Sequence, residues 1–231
     1  VMLDEIDKMG FLPTKVFVGK INELFGIMQI RFGTSLVGPT GGGKTAAWQV
    51  LAHTMTTLRQ EGDANEAFQI VRYEILNPKC IAMGELYGEF NELTQEWKDG
   101  LAPTILRRQV AEETIDRRWT CFDGPIDALW IESMNTVLDD NMMLCLANGE
   151  RIKLKVEMKM LFEVMDVDEA SPATVSRLGI VYVAPETIGW EAYTKRWLYG
   201  TEKAPTEVMA HVPDATRDHI MSLFQAYFPP V

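Results

Sequence analysis

The chain has 231 residues, 47% of them hydrophobic and 24% charged, which is enough to bury the core of one large α/β domain. The formal net charge of −11, with no basic stripe, argues against a sequence-independent grip on nucleic acid, because neutralising phosphates needs clustered Lys and Arg. No apolar stretch is long enough to span a bilayer, so neither nucleic acid nor a membrane is an expected partner. Three scattered cysteines, Cys80, Cys121 and Cys145, lack metal-ligand spacing and are predicted to be reduced, buried thiols of a cytosolic protein.

The chain opens at Val1 without an initiator Met, and we expect it to be part of a longer protein. Five short apolar runs without helical period predict strands buried on both faces of a parallel sheet. Helical patterns lie between the runs, the first with one apolar face from Ala47 to Leu58 and a stop at Gly62. This alternation predicts an α/β fold with a five-stranded parallel sheet and flanking helices. The five runs are Thr34–Val37, Gln69–Leu76, Trp119–Phe122, Met160–Met165 and Gly179–Val183.

Two stretches interrupt this alternation. The connection at about 78–118 is too long for an ordinary crossover and is predicted to be an insertion, with a helix over Asn91–Asp99. Asn148-Gly149 lies between alternating apolar flanks, which predicts a tight β-hairpin at about 144–156. Beyond the last strand, the sequence predicts helices at Trp190–Leu198 and Arg217–Tyr227.

The strongest motif follows the first predicted strand and opens the first helix. It matches the phosphate-binding pattern Gly-x-x-x-x-Gly-Lys-Thr, in which glycines let backbone N–H groups point at the phosphates of a nucleotide. Lys44 is expected to reach the β- and γ-phosphate oxygens, and the Thr45 hydroxyl to ligate Mg²⁺. We assign a nucleoside triphosphate with Mg²⁺ as the ligand of this loop, formed by Gly38, Pro39, Thr40, Gly41, Gly42, Gly43, Lys44, Thr45 and Ala46.

A carboxylate at the end of a neighbouring strand is the second part of such a site. Asp123 ends the run Trp119–Phe122, at the edge where ligands of parallel sheets gather, and is predicted to hold the Mg²⁺ shell. The alternative is that Asp123 caps the next helix, a position that Asp127 fills better. Gly124 follows Asp123 where ring-forming hydrolases place a Glu, and glycine cannot act as a base. We therefore predict nucleotide binding with little or no hydrolysis.

Several longer runs resemble the second AAA+ module of a dynein heavy chain, most closely of the axonemal type. The resemblance spans roughly Gly19 to Trp197 and implies a three-layer P-loop AAA+ fold in a ring of six modules that moves toward the microtubule minus end. It implies that the first module is the main ATPase and that the second binds ATP as a structural or regulatory ligand, in the axoneme of a cilium or flagellum. The runs are Leu36–Thr45, Leu76–Lys79, Met83–Gly88, Glu96–Gly100, Phe122–Asn135 and Ala170–Arg177.

The resemblance also implies a division of the chain. Residues 1–200 would form the large α/β subdomain, with the 78–118 segment as the insert in its second helix and the 144–156 hairpin as the insert before the first sensor. Both inserts would touch the dynein linker, and neighbouring AAA+ modules of the same heavy chain would be direct partners. Residues 201–231 would begin a helical lid or linker that is mostly truncated, so we expect the fragment alone to bind nucleotide weakly.

Two further residues take roles from the resemblance. Arg177, at the end of a helix before the fifth strand, occupies the arginine-finger position and would stabilise charge on ATP held by the preceding module. Its alternative is a solvated Arg favoured by a helix dipole. Asp166 lies where many AAA+ proteins carry a polar sensor Asn, and the alternative for it is an ordinary strand-end Asp.

Two other functions stay open at this point. A free-standing P-loop hydrolase or kinase would have its own turnover, against which Gly124 argues. A purely structural module would keep a vestigial loop, against which the intact Gly38, Lys44, Thr45 and Asp123 argue.

Overall fold

A five-stranded parallel sheet lies at the centre of the structure, a computed structural model that describes residues 1–201, 203, 205–207 and 209–228. The strands of the described residues are β1 (Gly33–Val37), β2 (Val71–Leu76), β3 (Gly88–Phe90), β4 (Trp97–Asp99), β5 (Arg117–Asp123), β6 (Met143–Cys145), β7 (Arg151–Lys153), β8 (Met158–Val164) and β9 (Gly179–Tyr182). The α-helices are α1 (Met2–Lys8), α2 (Lys15–Ile30), α3 (Lys44–Gln60), α4 (Met83–Tyr87), α5 (Leu101–Ala111), α6 (Ala128–Glu132), α7 (Asn135–Leu138), α8 (Pro172–Arg177), α9 (Trp190–Tyr199) and α10 (Asp214–Tyr227).

The sheet has the order β2-β5-β8-β1-β9, and every neighbouring pair is parallel. The five predicted strands are therefore confirmed. The prediction that they are buried on both faces is correct for β1, β5 and β8 but wrong for the edge strands β2 and β9, where Ile75 and Tyr182 are exposed because no further strand covers that side. The carboxyl ends of the five strands meet at one edge, where Val37 pairs with Val164 and Asp123 with Glu163. Parallel strands present such an edge to ligands, since the loops that follow them converge there.

Helices cover both faces of the sheet, which explains the apolar runs in the sequence. Alternate side chains of β5 and β8 enter opposite layers of the core, because successive residues of a strand point to opposite faces. Phe122 and Phe162 stack on each other with Trp130 in one layer, and Cys121 and Leu161 join Trp48 in the other. Burial on both faces removes any alternation of polar and apolar residues along these strands.

The helix predicted over Asn91–Asp99 is wrong. This segment turns back on itself, and β4 pairs antiparallel with β3. The Asn91 side chain accepts hydrogen bonds from the N–H groups of Leu93 and Thr94, so its oxygen competes with the helical pattern and fixes a turn. Phe90 and Trp97 contact each other edge to face across the hairpin, which projects between α4 and α5.

The hairpin predicted around Asn148-Gly149 is present, with β6 and β7 in antiparallel register. Gly149 adopts a left-handed φ of 88°, and the Leu146 N–H donates to the Glu150 carbonyl to close the loop. The helices predicted near Trp190 and Arg217 are also confirmed as α9 and α10. Within the predicted 201–231 segment, positions 202, 204, 208 and 229–231 lie outside the described residues.

The prediction of buried thiols is correct for one cysteine of three. Cys121 is fully buried on β5, whereas Cys80 and Cys145 are exposed. Cys80 lies in the short 3₁₀ turn Pro78–Cys80, and Cys145 on the open side of the two-stranded hairpin β6–β7. Cys145 points to the face of the hairpin opposite the buried Leu144, so the core does not cover it.

Candidate functional site

The phosphate-binding pattern forms a loop between β1 and α3, at the carboxyl edge of the sheet. Gly43 precedes the first turn of α3 with a left-handed φ of 99°, and a Cβ atom built there would lie 2.5 Å from the Ile188 side chain. Only glycine fits both conditions without strain. The loop therefore delivers its backbone N–H groups to the amino terminus of a 17-residue helix, where backbone donors and the helix dipole favour an anion.

Lys44 places a positive charge over this loop. Its Nζ atom donates to the carbonyl oxygens of Gly38, at 2.7 Å, and Pro39, at 2.9 Å. The ammonium group thus lies on the inner side of the loop, beside the N–H groups that follow it. A polyphosphate fits this arrangement, because it combines several negative oxygens with the reach to meet both the ammonium and the amides.

Thr45 contacts Glu163, a residue of the site that sequence reasoning missed. Its Oγ1 donates to Glu163 Oε2 at 2.6 Å, and the Trp48 indole donates to Glu163 Oε1 at 2.5 Å. Glu163 is only 5% exposed although it carries a carboxylate. A single charged residue in the apolar run Met160–Met165 was the available signal, since a buried charge requires specific partners.

Asp123 lies where the sequence predicts it, at the end of β5, and is solvent-exposed. It is in register with Glu163 on the neighbouring strand, and residues paired in a parallel sheet face the same side. Both carboxylates therefore face the side of the sheet on which α3 and Thr45 lie. A Mg²⁺ ion fits this donor set, because it prefers oxygen ligands from one or two protein groups together with phosphates and water.

The residues that follow Asp123 leave the site without a free acid on that strand end. Gly124 has no side chain, and a Cβ built on it would lie 3.0 Å from Asn77 Oδ1. Asp127 accepts hydrogen bonds from the N–H groups of Leu129 and Trp130 and forms an ion pair with Lys79 at 2.6 Å. The Lys79 hydrogen bond is the main cause that lowers the pKa of Asp127. Asp127 is thus the helix cap, as the sequence indicates.

Cys121 is the third residue that contacts the buried Glu163 carboxyl group. Its Sγ lies 3.7 Å from Glu163 Oε1. Burial raises the pKa of the Cys121 thiol, and the negative charges of Glu163 and Asp123 raise it further. Cys121 is therefore a neutral S–H donor rather than a nucleophile.

Next to the loop, a cavity of 860 Å³ opens at the carboxyl edge. Its lining includes Leu12 and Thr14 from the segment before α2, Gly41 from the loop, and Ile188 and Trp190 from the chain after β9. An apolar lining beside a phosphate loop suits a flat aromatic base. The cavity thus has the place and the chemistry for the base of a nucleotide.

Arg177 lies apart from this cluster, whereas Asp166 follows the carboxyl end of β8 by two residues. Arg177 ends α8 and donates to the Ala173 carbonyl of its own helix at 2.6 Å. Only Leu178 lies between it and the amino end of β9, so the four-residue strand, about 13 Å long, separates it from the edge that carries the loop. Asp166 is exposed and accepts a hydrogen bond from the Asp168 N–H, as in a local turn. Its role as a sensor stays a prediction.

Comparisons with known proteins agree with this geometry. A model of the AAA domain family, dynein-related subfamily, matches residues 33–178. Over 226 residues the chain is 49% identical to human dynein axonemal heavy chain 6, a match that covers 98% of this chain and 5% of that protein. It is 46% identical over 203 residues to human dynein axonemal heavy chain 2, covering 88% of this chain and 4% of that protein, and 41% identical over 225 residues to human dynein axonemal heavy chain 3, covering 97% and 5%.

The chain therefore spans only a small part of the length of the curated relatives that it matches. The family match begins at the first residue of β1 and ends just before β9, so it contains the loop, Asp123, Glu163 and Arg177. Among the helices that the structure describes, none combines the length and the apolar surface that a bilayer crossing requires.

Proposed function

Because the chain belongs to the AAA domain family, in its dynein-related subfamily, we propose that it is a Mg²⁺–nucleotide-binding module of an axonemal dynein heavy chain. The observation that carries the proposal is the cluster of Lys44, Thr45, Asp123 and Glu163 around one glycine loop at the carboxyl edge of the sheet. In this module Lys44 and the loop amides bind the phosphates of ATP or ADP. Thr45 and Asp123 hold Mg²⁺, which neutralises the phosphate oxygens when bound.

The module is regulatory and hydrolyses ATP slowly or not at all. With Asp123 assigned to Mg²⁺, activation of a water requires a second carboxylate directly after it, and Gly124 supplies none. Asp127 is held by Lys79 and by its own helix, and Glu163 is buried with both oxygens bonded. This chemistry suits the second module of a dynein ring, in which ATP serves as a structural or regulatory ligand.

Arg177 acts outside its own site in this proposal. Its position at the amino edge of the sheet keeps it a strand length away from its own loop, so its charge is available to nucleotide held by the preceding module. The neighbouring modules of the heavy chain are therefore direct partners. The dynein linker contacts the β3–β4 and β6–β7 hairpins, and the microtubule is bound by other parts of the parent motor, in the axoneme of a cilium or flagellum.

Calorimetric titration of the 231-residue chain with ATP and Mg²⁺, extended to millimolar nucleotide, tests the proposal. We expect saturable binding that Lys44→Ala weakens by at least about tenfold, since charge-assisted hydrogen bonds to the phosphates are lost. Lys20→Ala is the matched control, because this lysine lies on α2 and pairs with Glu23. Single-turnover assays with labelled ATP should show no Lys44-dependent hydrolysis.

The two other functions give different results. Brisk turnover that disappears with Lys44→Ala would identify a free-standing hydrolase. Failure of the wild-type chain to bind ATP at any tested concentration, with its fold intact by circular dichroism, would identify a structural module with a vestigial loop.

A further inference from the structure

We propose that Glu163 is a positioning residue for the magnesium ion, acting through the hydroxyl of Thr45. The inference rests on the proposed nucleotide function and adds to it a residue outside the glycine loop and the Asp123 position. It is carried by three hydrogen bonds that converge on one buried carboxylate.

The first observation is the burial of a carboxyl group on the central strand of the sheet, next to its carboxyl edge. Glu163 is 5% exposed, and both its neighbours on β8, Phe162 and Val164, are buried in the core. A carboxylate in such surroundings is costly unless hydrogen bonds replace the lost water. A residue that served only to fill the core would be apolar. The carboxyl group thus makes contacts with Thr45, Trp48 and Cys121 that an apolar side chain could not make.

The second observation is that donors hold the carboxylate in one orientation. Oε1 accepts from the Trp48 indole at 2.5 Å and from the Cys121 thiol at 3.7 Å. Trp48 is itself fully buried and packs edge to face against Tyr73, with ring centroids 4.7 Å apart. The indole is therefore a rigid donor to Oε1, and it leaves Oε2 to accept from Thr45.

The third observation is that Oε2 takes the proton of Thr45. A hydroxyl has one hydrogen to donate and two lone pairs to offer, and a free hydroxyl rotates among several directions. Donation from Thr45 Oγ1 to Glu163, at 2.6 Å, fixes the hydrogen toward the sheet. The lone pairs then remain available on the loop side, where Thr45 would hold Mg²⁺.

This arrangement also excludes Glu163 as the base that Gly124 does not provide. Both of its oxygens accept hydrogen bonds and the side chain is buried, so no water reaches it in a position to attack a phosphate. Glu163 thus improves magnesium binding without adding hydrolysis. The carboxylate that orients Thr45 for the metal is therefore not available as a base.

The substitution Glu163→Gln tests the direction of the hydrogen bond. Glutamine keeps the shape but carries one NH₂ group, and the fixed indole donor selects its oxygen for the Trp48 side. The NH₂ group then donates to Thr45 Oγ1, which occupies a lone pair and turns the hydroxyl hydrogen toward the metal. We expect the ratio of ADP affinity with Mg²⁺ to ADP affinity in EDTA to fall about tenfold, as for other groups that orient metal ligands.

Two matched variants separate positioning from loss of structure. Trp48→Phe removes the indole donor from the same carboxylate but leaves the Thr45 contact, and should keep the ratio within about threefold of wild type. Thr45→Val removes the hydroxyl while keeping the shape, and should abolish the Mg²⁺ enhancement. In EDTA, Glu163→Gln and Trp48→Phe should bind ADP within about twofold of wild type, since the loop and Lys44 are unchanged in both.

A spectroscopic measurement on the wild-type chain keeps the inference testable even where Glu163→Gln fails to fold. The Trp48 indole N–H resonance, assigned by its absence in Trp48→Phe, should shift when Mg²⁺ and ADP are added together. ADP in EDTA should shift it less, because the metal acts on Thr45 and Thr45 is bonded to the carboxylate that receives the indole hydrogen.

The possible outcomes test the role of Glu163, the position of the metal and nucleotide binding separately. An unchanged Mg²⁺ ratio in folded Glu163→Gln, or an indole resonance that Mg²⁺ does not move, would overturn the role of Glu163 while nucleotide binding stands. An unchanged ratio in Thr45→Val would place the metal elsewhere and overturn the role as well. Absence of ADP binding by wild type, with or without Mg²⁺, would overturn the proposed function and this inference together.

Discussion

The two ends of strand β1 both carry glycine, for opposite physical reasons. Gly33, at the amino end, lies against the α7 helix, where a Cβ atom would come within 2.1 Å of Leu138 Cδ2. Gly43, beyond the carboxyl end, takes a left-handed conformation that turns backbone N–H groups toward a ligand. At one end glycine makes room for a neighbour, and at the other it shapes a binding loop. The same residue type therefore indicates function only when its position relative to strand and helix is known.

The charged residues at the two ends of the sheet also differ in their surroundings. At the carboxyl end the buried Glu163 receives hydrogen bonds from Thr45 and Trp48. At the amino end the partly buried Lys159 donates to the Arg31 carbonyl and lies near Arg117. Burial, and then the charge of Arg117, lower the pKa of Lys159 to about 8. Glu163 thus has dedicated hydrogen-bond donors, whereas the lowered pKa of Lys159 brings the loss of its proton into the mildly alkaline range.

The largest expected effect comes from Gly43→Val. A β-branched side chain cannot hold the left-handed backbone, so at least two N–H groups leave the loop and ATP affinity should fall about 100-fold. Gly62→Val is the matched control, because Gly62 also has a left-handed φ, of 87°, but has open space around it. The control should lose about 1–2 kcal/mol of stability and keep its affinity. Equal affinity losses in both variants would show that backbone strain, not the loop, is responsible.

At the opposite end, Gly33→Ala should lower the free energy of unfolding by about 1–3 kcal/mol, because the added methyl group meets Leu138. ATP affinity should stay within about twofold, since the loop lies at the other end of the strand. Urea denaturation of Gly33→Ala, Leu138→Ala and the double variant measures the coupling, and the loss caused by Gly33→Ala should shrink when Leu138 is truncated. A parallel loss of affinity would mean that the two ends are not independent.

The smallest effect is a change in pH dependence. Unfolding returns Lys159 to its ordinary pKa of 10.5, so between about pH 8 and that value the unfolded chain binds more protons than the folded chain. This difference makes the folded state more stable as pH rises through the window. Lys159→Met removes it, and the unfolding free energy of wild type should therefore gain on that of the variant between pH 7.5 and 9.5. A constant difference across these values would contradict the lowered pKa.

The parts of the fold and site that the sequence predicts are those with local causes. The five strands, the glycine loop and the Asp123 position each depend on residues adjacent in the chain. Glu163 is different, because its donors Thr45 and Trp48 lie 118 and 115 residues away and become neighbours only when β8 pairs beside β1. No spacing rule connects residues so far apart, so the sequence pattern shows Glu163 only as a member of an apolar strand.

The segment 91–99 shows the reverse. Its turn has a local cause, since Asn91 is a residue that bonds its own backbone, and this cause outweighs the helical pattern of the residues that follow. Exposure of Cys80 and Cys145 was not predictable, because it depends on how far the outer turns extend from the central sheet.

The crowding around Gly124 has an evolutionary consequence. Asn77 lies against this glycine, and its side-chain oxygen is in turn held by the Lys79 N–H at 3.0 Å. An acidic residue at position 124 would push the Asn77 side chain by a few tenths of an ångström and strain the turn that follows β2. Installing a catalytic acid there therefore calls for adjustment at a second position, and selection acting on one codon at a time meets that barrier.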